Sequence, residues 1–408
     1  MQTHFARQPI LDRHQHVYGY ELLYRNDPHA DKSGNFIDGD KATVSVIEGF
    51  QARGIENITG GKKAFVNFTK NLILGGFASY FSPESMVVEV LETAEPSAEL
   101  LDALRLLKKE GYKIALDDIV YRPALKPLLA LADIVKIDFL EGVFKMRNFY
   151  AVCSHINLSK CLLLAEKVET RRVFEQALEL GCHLFQGYFF AKPFTVSEKT
   201  VSVMRFSALR LISEAGRKEI DFDAITEIIK QDIGLTYKIL KLVNSAYFGV
   251  LQEITDIKRA VVFLGQRELK KWVSYVTLTN MSDDKPPELI EMSLVRAHFC
   301  EMTAGMLGMS KESDSFFLAG LFSLLDVLLD AKMEDILKDI LLPEIAQTAL
   351  LGSPGAVRSA LDLIAALERG GWEDASRICE ELGVHYDDIS QQYADTLQWT
   401  AELHRDEL

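Results

Sequence analysis

The hydrophobic pattern of the first 195 or so residues alternates between two periods. Short, nearly continuous apolar runs are separated by stretches in which apolar residues recur at three- and four-residue spacing. The runs are YGYELLYR, KAFVNFT, MVVEVLE, KIALDDI, DIVKIDF, CLLLAEKV and HLFQGYFF. Such runs predict strands buried on both faces, as in a parallel sheet, and the stretches between them predict amphipathic helices.

Two of the predicted helices are well marked in the sequence. SAELLDALRLLKKEG and TRRVFEQALELG carry their apolar residues on one face, and the second ends at Gly181, a residue type that commonly follows a helix C-terminus. Seven strand runs joined in this way within roughly 190 residues predict a closed β/α barrel of the TIM type more than an open sheet.

The pattern changes after AKPFTVSEKT. From Val201 onward the strand-like runs disappear and helical spacing continues, with breaks such as DDKPPE and LGSPGA between the predicted helices. The fold class is therefore α/β plus all-α. We predict a β/α barrel over residues 1–198 and a helical domain over residues 199–408.

Composition narrows the class of protein further. The chain has 408 residues, 48% of them hydrophobic, and a formal net charge of -14, which argues against a nucleic-acid-binding surface because phosphate contacts need clustered Lys and Arg. Its five cysteines show no CxxC spacing and fit a reducing compartment. With no signal-peptide pattern at the N-terminus and no long apolar span, we expect a cytoplasmic protein without a membrane span.

Polar side chains stand near the end of most predicted strands. They are Glu21, Asn67, Glu89, Asp117, Asp118, Lys136, Glu166, Glu169 and Gln186. Because the carboxyl ends of the strands of a β/α barrel meet at one rim, we expect these side chains to share one cup. A single acidic residue at a strand end is usually a solvated loop start, but the repetition in successive strands favours a site.

The residue types in this set indicate a metal site. Carboxylates and a carboxamide, without His or Cys, are hard oxygen donors that suit Mg²⁺ or Mn²⁺. Two such ions about 3.5–4 Å apart would serve an in-line phosphodiester hydrolysis. The adjacent Asp117 and Asp118 pose the question most sharply, because neighbouring like charges cost free energy unless a cation binds them. This pair is a metal site, the remnant of one, or a solvated loop start.

These motifs resemble, in the same order, those of the EAL domains, which are cyclic-di-GMP phosphodiesterases. YELLYR is similar to the Glu-Ala-Leu motif, with Leu22 in place of alanine, and AEKVET is similar to Ala-Glu-Gly-Val-Glu-Thr. The segments that complete the resemblance are FVNFT, EVLE, LDD, VKID and QGYFFAKP. The resemblance covers about residues 1–195.

The resemblance implies a role for each site residue. It implies metal ligands at Glu21, Asn67, Glu89, Asp117, Asp118 and Glu166, with Asp118 at the second metal. It implies that catalysis depends on Glu21, Asp118, Lys136 and Glu166, where Lys136 would position the attacking water or neutralise charge. It implies that Arg25 contacts a ligand phosphate, which suits a guanidinium fork, and that Glu169 and Gln186 hold the surroundings of the site.

The segment after the paired aspartates departs from the family. Family members have Phe-Gly-Thr-Gly-Tyr-Ser-Ser there, whereas this chain has IVYRPAL, which contains no glycine that would allow a backbone turn with positive φ. Lys167 replaces a family glycine and adds a cation close to Glu166, where it would compete with metal or attract phosphate. The position of Asp118 is therefore open. Family barrels dimerise in part through this loop, so a homodimer stays an open alternative.

The helical half resembles a second family, the HDOD domains, over about residues 200–390. The signature residues are Asp232, Leu235, the run NSAYFG and Gly265. The related HD phosphohydrolases need a His-Asp pair, but GLFSLLD has Ser323 and Leu324 at those positions, and neither Asp326 nor the isolated His298 replaces the pair. The resemblance predicts a binding or regulatory module that is not catalytic.

Together, these patterns lead to two hypotheses. The first is a metal-dependent cyclic-di-GMP phosphodiesterase that yields linear pGpG in bacterial second-messenger signalling, which governs motility and biofilm formation, with a protein partner at the HDOD domain. The second is a catalytically weak or inactive EAL domain that acts as a cyclic-di-GMP receptor or a protein-interaction scaffold.

Overall fold

The chain folds into two compact units in the computed structural model. Its described residues are 4–25, 55–91, 94–139, 143–191, 220–230, 233–244, 254–280, 285–340 and 342–406. The first unit comprises Met1–Lys192, Ala365–Cys379 and His385–Ala401. The second comprises Pro193–Ile364, Glu380–Val384 and Glu402–Leu408.

A closed eight-stranded barrel forms the centre of the first unit. Its strands are β1 His4–Asp12, β2 Val17–Arg25, β3 Lys63–Phe68, β4 Met86–Val90, β5 Lys113–Leu116, β6 Ile134–Asp138, β7 Leu162–Glu166 and β8 Leu184–Gln186. The strands pair in chain order, and β1 closes the barrel by pairing with both β2 and β8. The predicted barrel is confirmed. All of its neighbours are parallel except β1, which is antiparallel to both of its partners.

The strand β1 was absent from the sequence prediction because its residues do not form an apolar run. Ala6, Ile10 and Leu11 are fully buried, but Arg7 lies between them in sequence and is buried as well. The Arg7 guanidinium stacks over the Tyr20 ring at 4.4 Å and donates a hydrogen bond of 2.6 Å to the carbonyl oxygen of Ile58. The buried arginine interrupts the apolar run, so the sequence of this barrel strand resembles that of a polar segment.

One layer of apolar side chains fills the interior of the barrel. It is contributed by seven of the eight strands and consists of Ile10, Phe65, Val87, Ala115, Ile134, Leu164 and Leu184. Strand side chains alternate between the two faces of a sheet, so the next inward-facing position on each strand lies two residues along. This spacing decides which polar residues enter the barrel.

The helices of the first unit that lie between the strands confirm both well-marked predictions. They are α1 Ile55–Thr59, α2 Lys70–Leu74, α3 Ala98–Lys109, α4 Lys126–Leu129, α5 Val143–Cys153 and α6 Arg171–Glu179. Ser97 caps α3 and Thr170 caps α6, each with a side-chain oxygen that accepts a hydrogen bond from a first-turn amide. Gly181 adopts a φ of 87° just after α6, the left-handed conformation for which glycine is favoured.

The second unit is helical, as the sequence predicts. Its helices are α7 Phe222–Lys230, α8 Ile233–Val243, α9 Ile257–Asn280, α10 Pro287–Met306, α11 Ser313–Phe322, α12 Leu325–Leu329, α13 Met333–Asp339, α14 Glu344–Leu350 and most of α15 Ala356–Glu368. Gly265 interrupts α9 with a φ of 70° and a ψ of 170°. No helix in the described ranges is long and apolar enough to cross a bilayer.

The last two helices of the chain group mainly with the barrel. They are α16 Trp372–Leu382 and α17 Tyr386–Asp406, and the first unit contains Ala365–Cys379 and His385–Ala401. The predicted extent of the helical domain, residues 199–408, stays a prediction. The compact unit that holds most of that range lacks these two segments.

Candidate active site

The polar strand ends enter the barrel because each stands two residues beyond a member of the apolar layer. The pairs in the parallel strands are Phe65 and Asn67, Val87 and Glu89, Ala115 and Asp117, Ile134 and Lys136, Leu164 and Glu166, and Leu184 and Gln186. The same spacing relates Gly19 to Glu21 in β2. The predicted cup is therefore the next layer of the barrel interior, at the carboxyl ends of its parallel strands.

Lys136 occupies the centre of this layer. Its side chain is 1% exposed, and its ammonium contacts one oxygen of each of four carboxylates. The distances from Nζ are 3.1 Å to Glu21, 2.9 Å to Asp117 and 2.8 Å to Glu166, and Glu89 makes the fourth contact. Four strand ends that are distant in sequence are thus brought to one cation.

Two amide side chains donate hydrogen bonds to Glu21, and a third accepts one from the first of them. Gln186 Nε2 donates a 2.6 Å hydrogen bond to Glu21 Oε2, and Asn67 Nδ2 donates one of 3.3 Å to Oε1. The same Gln186 nitrogen lies 2.9 Å from the Oε1 acceptor of Gln8. Gln8 was not a predicted site residue, because its strand was not recognised, although it pairs directly with Glu21 in the β1–β2 ladder.

Burial and crowding shift the pKa values in this cluster in different directions. Burial raises the pKa of Glu166 to about 8, against the attraction of Lys136, and it raises the pKa of Asp117 as well. Burial, followed by the charge of Glu21, raises the pKa of Glu89 well above its usual range. Burial also acts on Glu21, but the ammonium of Lys136 and the hydrogen bonds to Glu21 outweigh it and lower its pKa.

The ammonium retains its charge under these conditions. Burial would lower the pKa of Lys136, but the four surrounding carboxylates raise it well above its usual value. One positive charge nevertheless cannot balance four carboxylates, so the cluster needs either protons or additional cations. Burial, together with this shortage of positive charge, raises the pKa values of Glu89 and Glu166.

The donor set fits a divalent metal ion in its chemistry. Asn67 Oδ1, Glu89 Oε2 and Glu166 Oε2 are buried, and no described residue donates a hydrogen bond to them. Unsatisfied buried oxygens of this kind are suited to a hard cation. Among the described residues, no three His, Cys, Asp or Glu side chains already form a metal cage, so metal binding would require carboxylate oxygens to turn from the ammonium towards the ion.

The carboxylates of the two adjacent aspartates contact different cations. Asp117 faces Lys136, whereas Asp118 Oδ2 lies 3.5 Å from the ammonium of Lys167. Lys167 also contacts Asp138 at 3.0 Å, and both Lys167 and Asp118 have positive φ, 54° and 41° respectively. Asp138, the last residue of β6, was not predicted, although it follows Lys136 by two positions at the same strand end.

The structure does not fix the roles of two further predicted residues. Arg25 is the last residue of β2, but its side chain lies outside the described part of the chain. Glu169 follows β7 and has an exposed side chain. The phosphate contact from Arg25 and the supporting role of Glu169 stay predictions.

The signature positions of the helical half are only partly described. Asp232 and residues 245–249 lie outside the described residues, whereas Asn244 uses its side chain to join Leu240 and Ile254. Ser323 Oγ accepts a hydrogen bond of 3.1 Å from Arg296 and donates one of 2.8 Å to the carbonyl oxygen of Gly320. That this half is not catalytic stays a prediction.

Comparison with known proteins gives the family. The model of the EAL domain matches residues 67–193, and that of the HDOD domain matches residues 204–346. The protein named cyclic di-GMP phosphodiesterase CdgJ, from Vibrio cholerae, is 34% identical over 99% of this chain and 93% of its own length. The chain belongs to the EAL–HDOD family.

Two other relatives extend the comparison without adding an activity. The uncharacterized protein YuxH of Bacillus subtilis is 35% identical over 99% of both chains. The Bacillus subtilis YkuI protein, solved in complex with c-di-GMP and calcium, is 20% identical over 66% of this EAL–HDOD chain and 72% of its own, with a TM-score of 0.38.

The predicted family membership is therefore confirmed, with one difference in extent. The EAL match begins at Asn67, whereas the motifs that resemble this family extend over about residues 1–195. The segment that carries Glu21 precedes the match, yet β1 and β2 complete the barrel of this EAL–HDOD protein. The contacts of Glu21 with Lys136 and Gln186 tie that segment to the matched residues.

Proposed function

We propose that this chain hydrolyses cyclic di-GMP to linear pGpG and that it depends on bound Mg²⁺ or Mn²⁺. The observation that carries the proposal is the convergence of four strand-end carboxylates on one buried ammonium, with buried oxygens that accept no hydrogen bond from the described residues. The relative named as a cyclic di-GMP phosphodiesterase, which aligns with 99% of this chain, supports the choice of substrate.

The proposed ligands are the oxygen donors of this layer and its rim. Divalent ions would be held by Glu21, Asn67, Glu89, Asp117, Asp118 and Glu166. A bound divalent ion lowers the pKa of a coordinated water and neutralises developing charge on phosphate oxygens. The absence of His and Cys from the set favours Mg²⁺ or Mn²⁺ over softer ions.

The remaining side chains hold these donors in place. Gln186 and Asn67 orient the carboxylate of Glu21 through hydrogen bonds to its two different oxygens. Lys136 keeps the four carboxylates together before an ion arrives, and its charge would then neutralise a substrate phosphate or position a water molecule. Glu166, with a pKa of about 8 at this density of negative charge, would release its proton as a cation binds. Arg25 would bind a phosphate of the dinucleotide.

A receptor without turnover is the second candidate, and one observation favours it. The segment after Asp118 contains no glycine, and the carboxylate of Asp118 faces Lys167 and not the Lys136 cluster. If Asp118 stays with Lys167, a second ion would lack a ligand. The barrel would then bind the dinucleotide or a protein partner without efficient cleavage, because a displacement of about 1 Å can cost orders of magnitude in rate.

The helical domain would connect this chemistry to a partner protein. We propose that it acts as a regulatory or interaction module in bacterial cyclic-di-GMP signalling, in the cytoplasm, where it would influence motility and biofilm formation. Its HDOD match and the relation to a named phosphodiesterase over the whole chain support a shared two-domain organisation.

The test is a hydrolysis assay on the full-length protein. Cyclic di-GMP would be incubated with Mn²⁺, Mg²⁺ or EDTA, and the linear product would be separated by chromatography. We expect metal-dependent turnover that Glu21→Ala lowers by at least about 10³-fold, since the glutamate both binds metal and anchors the cluster. Glu175→Ala, which removes an exposed carboxylate on α6, is the matched control and should retain activity.

The same samples separate the two candidates. Binding of cyclic di-GMP by calorimetry with no linear product after hours, in the presence of metal, would favour the receptor. Turnover that is unaffected by Glu21→Ala would contradict the proposed active site altogether.

A further inference from the structure

The backbone after the paired aspartates is held in a conformation that needs support. Asp118 has a φ of 41°, a left-handed conformation that costs a non-glycine residue about 1–2 kcal/mol. Such a conformation persists only where the surroundings fix it. Since the sequence IVYRPAL contains no glycine, other side chains must hold residues 118–121 in place.

The side chain of Asn148, on α5, binds this segment at two points. Its Oδ1 accepts a hydrogen bond of 2.7 Å from the backbone amide of Tyr121, and its Nδ2 donates one of 2.7 Å to the carbonyl oxygen of Ile119. The two bonds lie on either side of Val120, whose own side chain is exposed. One amide group therefore fixes the backbone of three consecutive residues.

A second contact joins the same segment to the end of α5. The rings of Tyr121 and His155 stack with centroids 4.4 Å apart, and the Tyr121 hydroxyl lies 2.9 Å from His155 Nε2. The other ring nitrogen of His155 lies 2.8 Å from the carbonyl oxygen of Ala151. The segment is thus attached to α5 through both its backbone and a side chain.

The attachment of this segment to α5 affects the two adjacent aspartates, whose carboxylates contact different cations. The carboxylate of Asp117 lies 2.9 Å from the Lys136 ammonium, and that of Asp118 lies 3.5 Å from the Lys167 ammonium. Adjacent side chains of an extended chain already point in different directions, and the left-handed φ of Asp118 sets where its carboxylate lies relative to that of Asp117. A change of φ at Asp118 towards the ordinary negative region would move its carboxylate, and the residues that follow, away from this arrangement.

We propose that Asn148 is a positioning residue for the metal site, because its amide fixes the backbone at 119–121 and thereby the carboxylates of Asp117 and Asp118. The metal part of this inference rests on the proposed function. Asparagine is suited to the role because its single side-chain amide carries both a hydrogen-bond donor, Nδ2, and an acceptor, Oδ1. Aspartate keeps only the acceptor, and leucine keeps neither group.

The experiment measures Mn²⁺ binding to the full chain by calorimetry, without nucleotide. Asn148→Leu should raise the dissociation constant for Mn²⁺ by about tenfold or more, as is typical when a residue that supports metal ligands is removed. Asn148→Asp should give a smaller increase. Tyr150→Ala, an exposed position on the same helix, is the control and should leave the affinity unchanged.

Two further measurements distinguish positioning from general stability. The unfolding midpoint in EDTA would show whether Asn148→Leu is simply unfolded, and the Mn²⁺ dependence of hydrolysis should shift to higher concentration with activity partly restored by excess Mn²⁺. If Asn148→Leu does not fold, Tyr121→Phe and Asn148→Asp carry the test. Tyr121→Phe removes only a hydroxyl and should weaken Mn²⁺ binding about two- to threefold.

The outcomes separate this inference from the proposed function. Wild-type affinity for Mn²⁺ in Asn148→Leu, or in both milder variants, would overturn the role of Asn148 even in an active enzyme. Mn²⁺ binding that depends on Asn148 in a protein without phosphodiesterase activity would support the inference and contradict the proposed function. A wild-type protein that binds no Mn²⁺ would overturn both.

Discussion

Each compact unit contains a cluster of charged side chains around a buried group, and the two clusters differ in their balance of charge. In the barrel, four carboxylates contact the single ammonium of Lys136. In the helical unit, the buried carboxylate of Glu301 contacts two cations, Arg267 at 2.6 Å and Lys271 at 2.7 Å, and Arg267 also lies 4.0 Å from the carboxylate of Asp314. The barrel cluster is short of positive charge, whereas the helical cluster has enough.

The clusters also differ in their access to water and in hydrogen bonding. Both oxygens of Glu301 accept hydrogen bonds, and the Arg267 side chain is 60% exposed. Lys136 is 1% exposed, and buried oxygens of Glu89 and Glu166 accept no hydrogen bond from the described residues. A cluster that satisfies its own charges serves structure. A buried cluster that does not is suited to binding a cation.

The largest test of this contrast removes one lysine from each cluster. Lys136→Met leaves four buried carboxylates without a cation, and we expect the free energy of unfolding in EDTA to fall by about 3–5 kcal/mol. Lys271→Met leaves Glu301 with Arg267, so its loss should be nearer about 1 kcal/mol. Chemical denaturation at pH 8 would measure both variants, since lower pH lets carboxylates take up protons instead.

Added Mn²⁺ makes the comparison sharper. A divalent ion would supply the missing positive charge in the barrel, so Mn²⁺ should recover part of the stability of Lys136→Met and none of the stability lost in Lys271→Met. An equal loss of stability in the two variants, or an equal recovery of stability by Mn²⁺, would show that the two clusters do not differ in their need for a cation.

The pH dependence of stability gives an intermediate effect. Burial raises the pKa of Glu166 from 4.5 to about 8, so between these values the folded protein holds a proton that the unfolded chain has released. The stabilisation from this proton is present below about pH 4.5 and is lost as the pH rises towards 8. In EDTA, Glu166 should therefore lower the free energy of unfolding by at most about 1.4 kcal/mol per pH unit, and the raised pKa values of Glu89 and Asp117 add to this fall in the same direction.

The Glu166→Gln variant provides the control for this slope. A neutral amide cannot titrate, so the free energy of unfolding should depend less steeply on pH between pH 5 and pH 8 in that variant. Substitution of Glu301, which has two cationic partners, should leave the slope in place. A slope that survives Glu166→Gln unchanged would assign the proton to another member of the cluster.

The sequence was sufficient to predict the barrel and most of the polar side chains that converge inside it, for a simple reason. Period-two alternation places Glu89 two residues after Val87 and Lys136 two residues after Ile134, so an apolar run with a polar residue near its end already encodes an inward-facing layer and its rim. The roles of these residues rest on the family motifs and stay predictions. The contact of Lys136 with four carboxylates was beyond this reasoning, because side-chain direction within a layer depends on non-local packing.

Other features had no readable signal in the sequence. The pattern of β1 was hidden by Arg7 and Gln8, both of which face partners inside the folded unit. Asn148 lies in a helix, where an isolated asparagine has no characteristic pattern. The assignment of Ala365–Cys379 and His385–Ala401 to the barrel unit was also unpredictable, because helical spacing shows that a face is buried but not which core buries it.

The smallest expected effect concerns Gln8, whose side chain is joined to the Lys136 cluster through Gln186. Gln8 Oε1 accepts a hydrogen bond of 2.9 Å from Gln186, whose amide also donates to Glu21, and Gln8 Nε2 lies 3.4 Å from the carbonyl oxygen of Arg369 in the same unit. In Gln8→Ala the contact between Gln186 and Glu21 is retained. We therefore expect kcat/KM to fall only about threefold to tenfold, which corresponds to the loss of one neutral hydrogen bond.

The control for this last effect is Gln8→Glu, which keeps an acceptor at the same place but cannot donate to the Arg369 carbonyl oxygen. If Gln8 acts by orienting Gln186, Gln8→Glu should retain more activity than Gln8→Ala, and both variants should have the same unfolding midpoint within a few degrees. If the two lose activity equally, the contact with Arg369 is the one that matters. The position of Glu21 would then depend on Ala365–Cys379, the later segment of the barrel unit that contains Arg369.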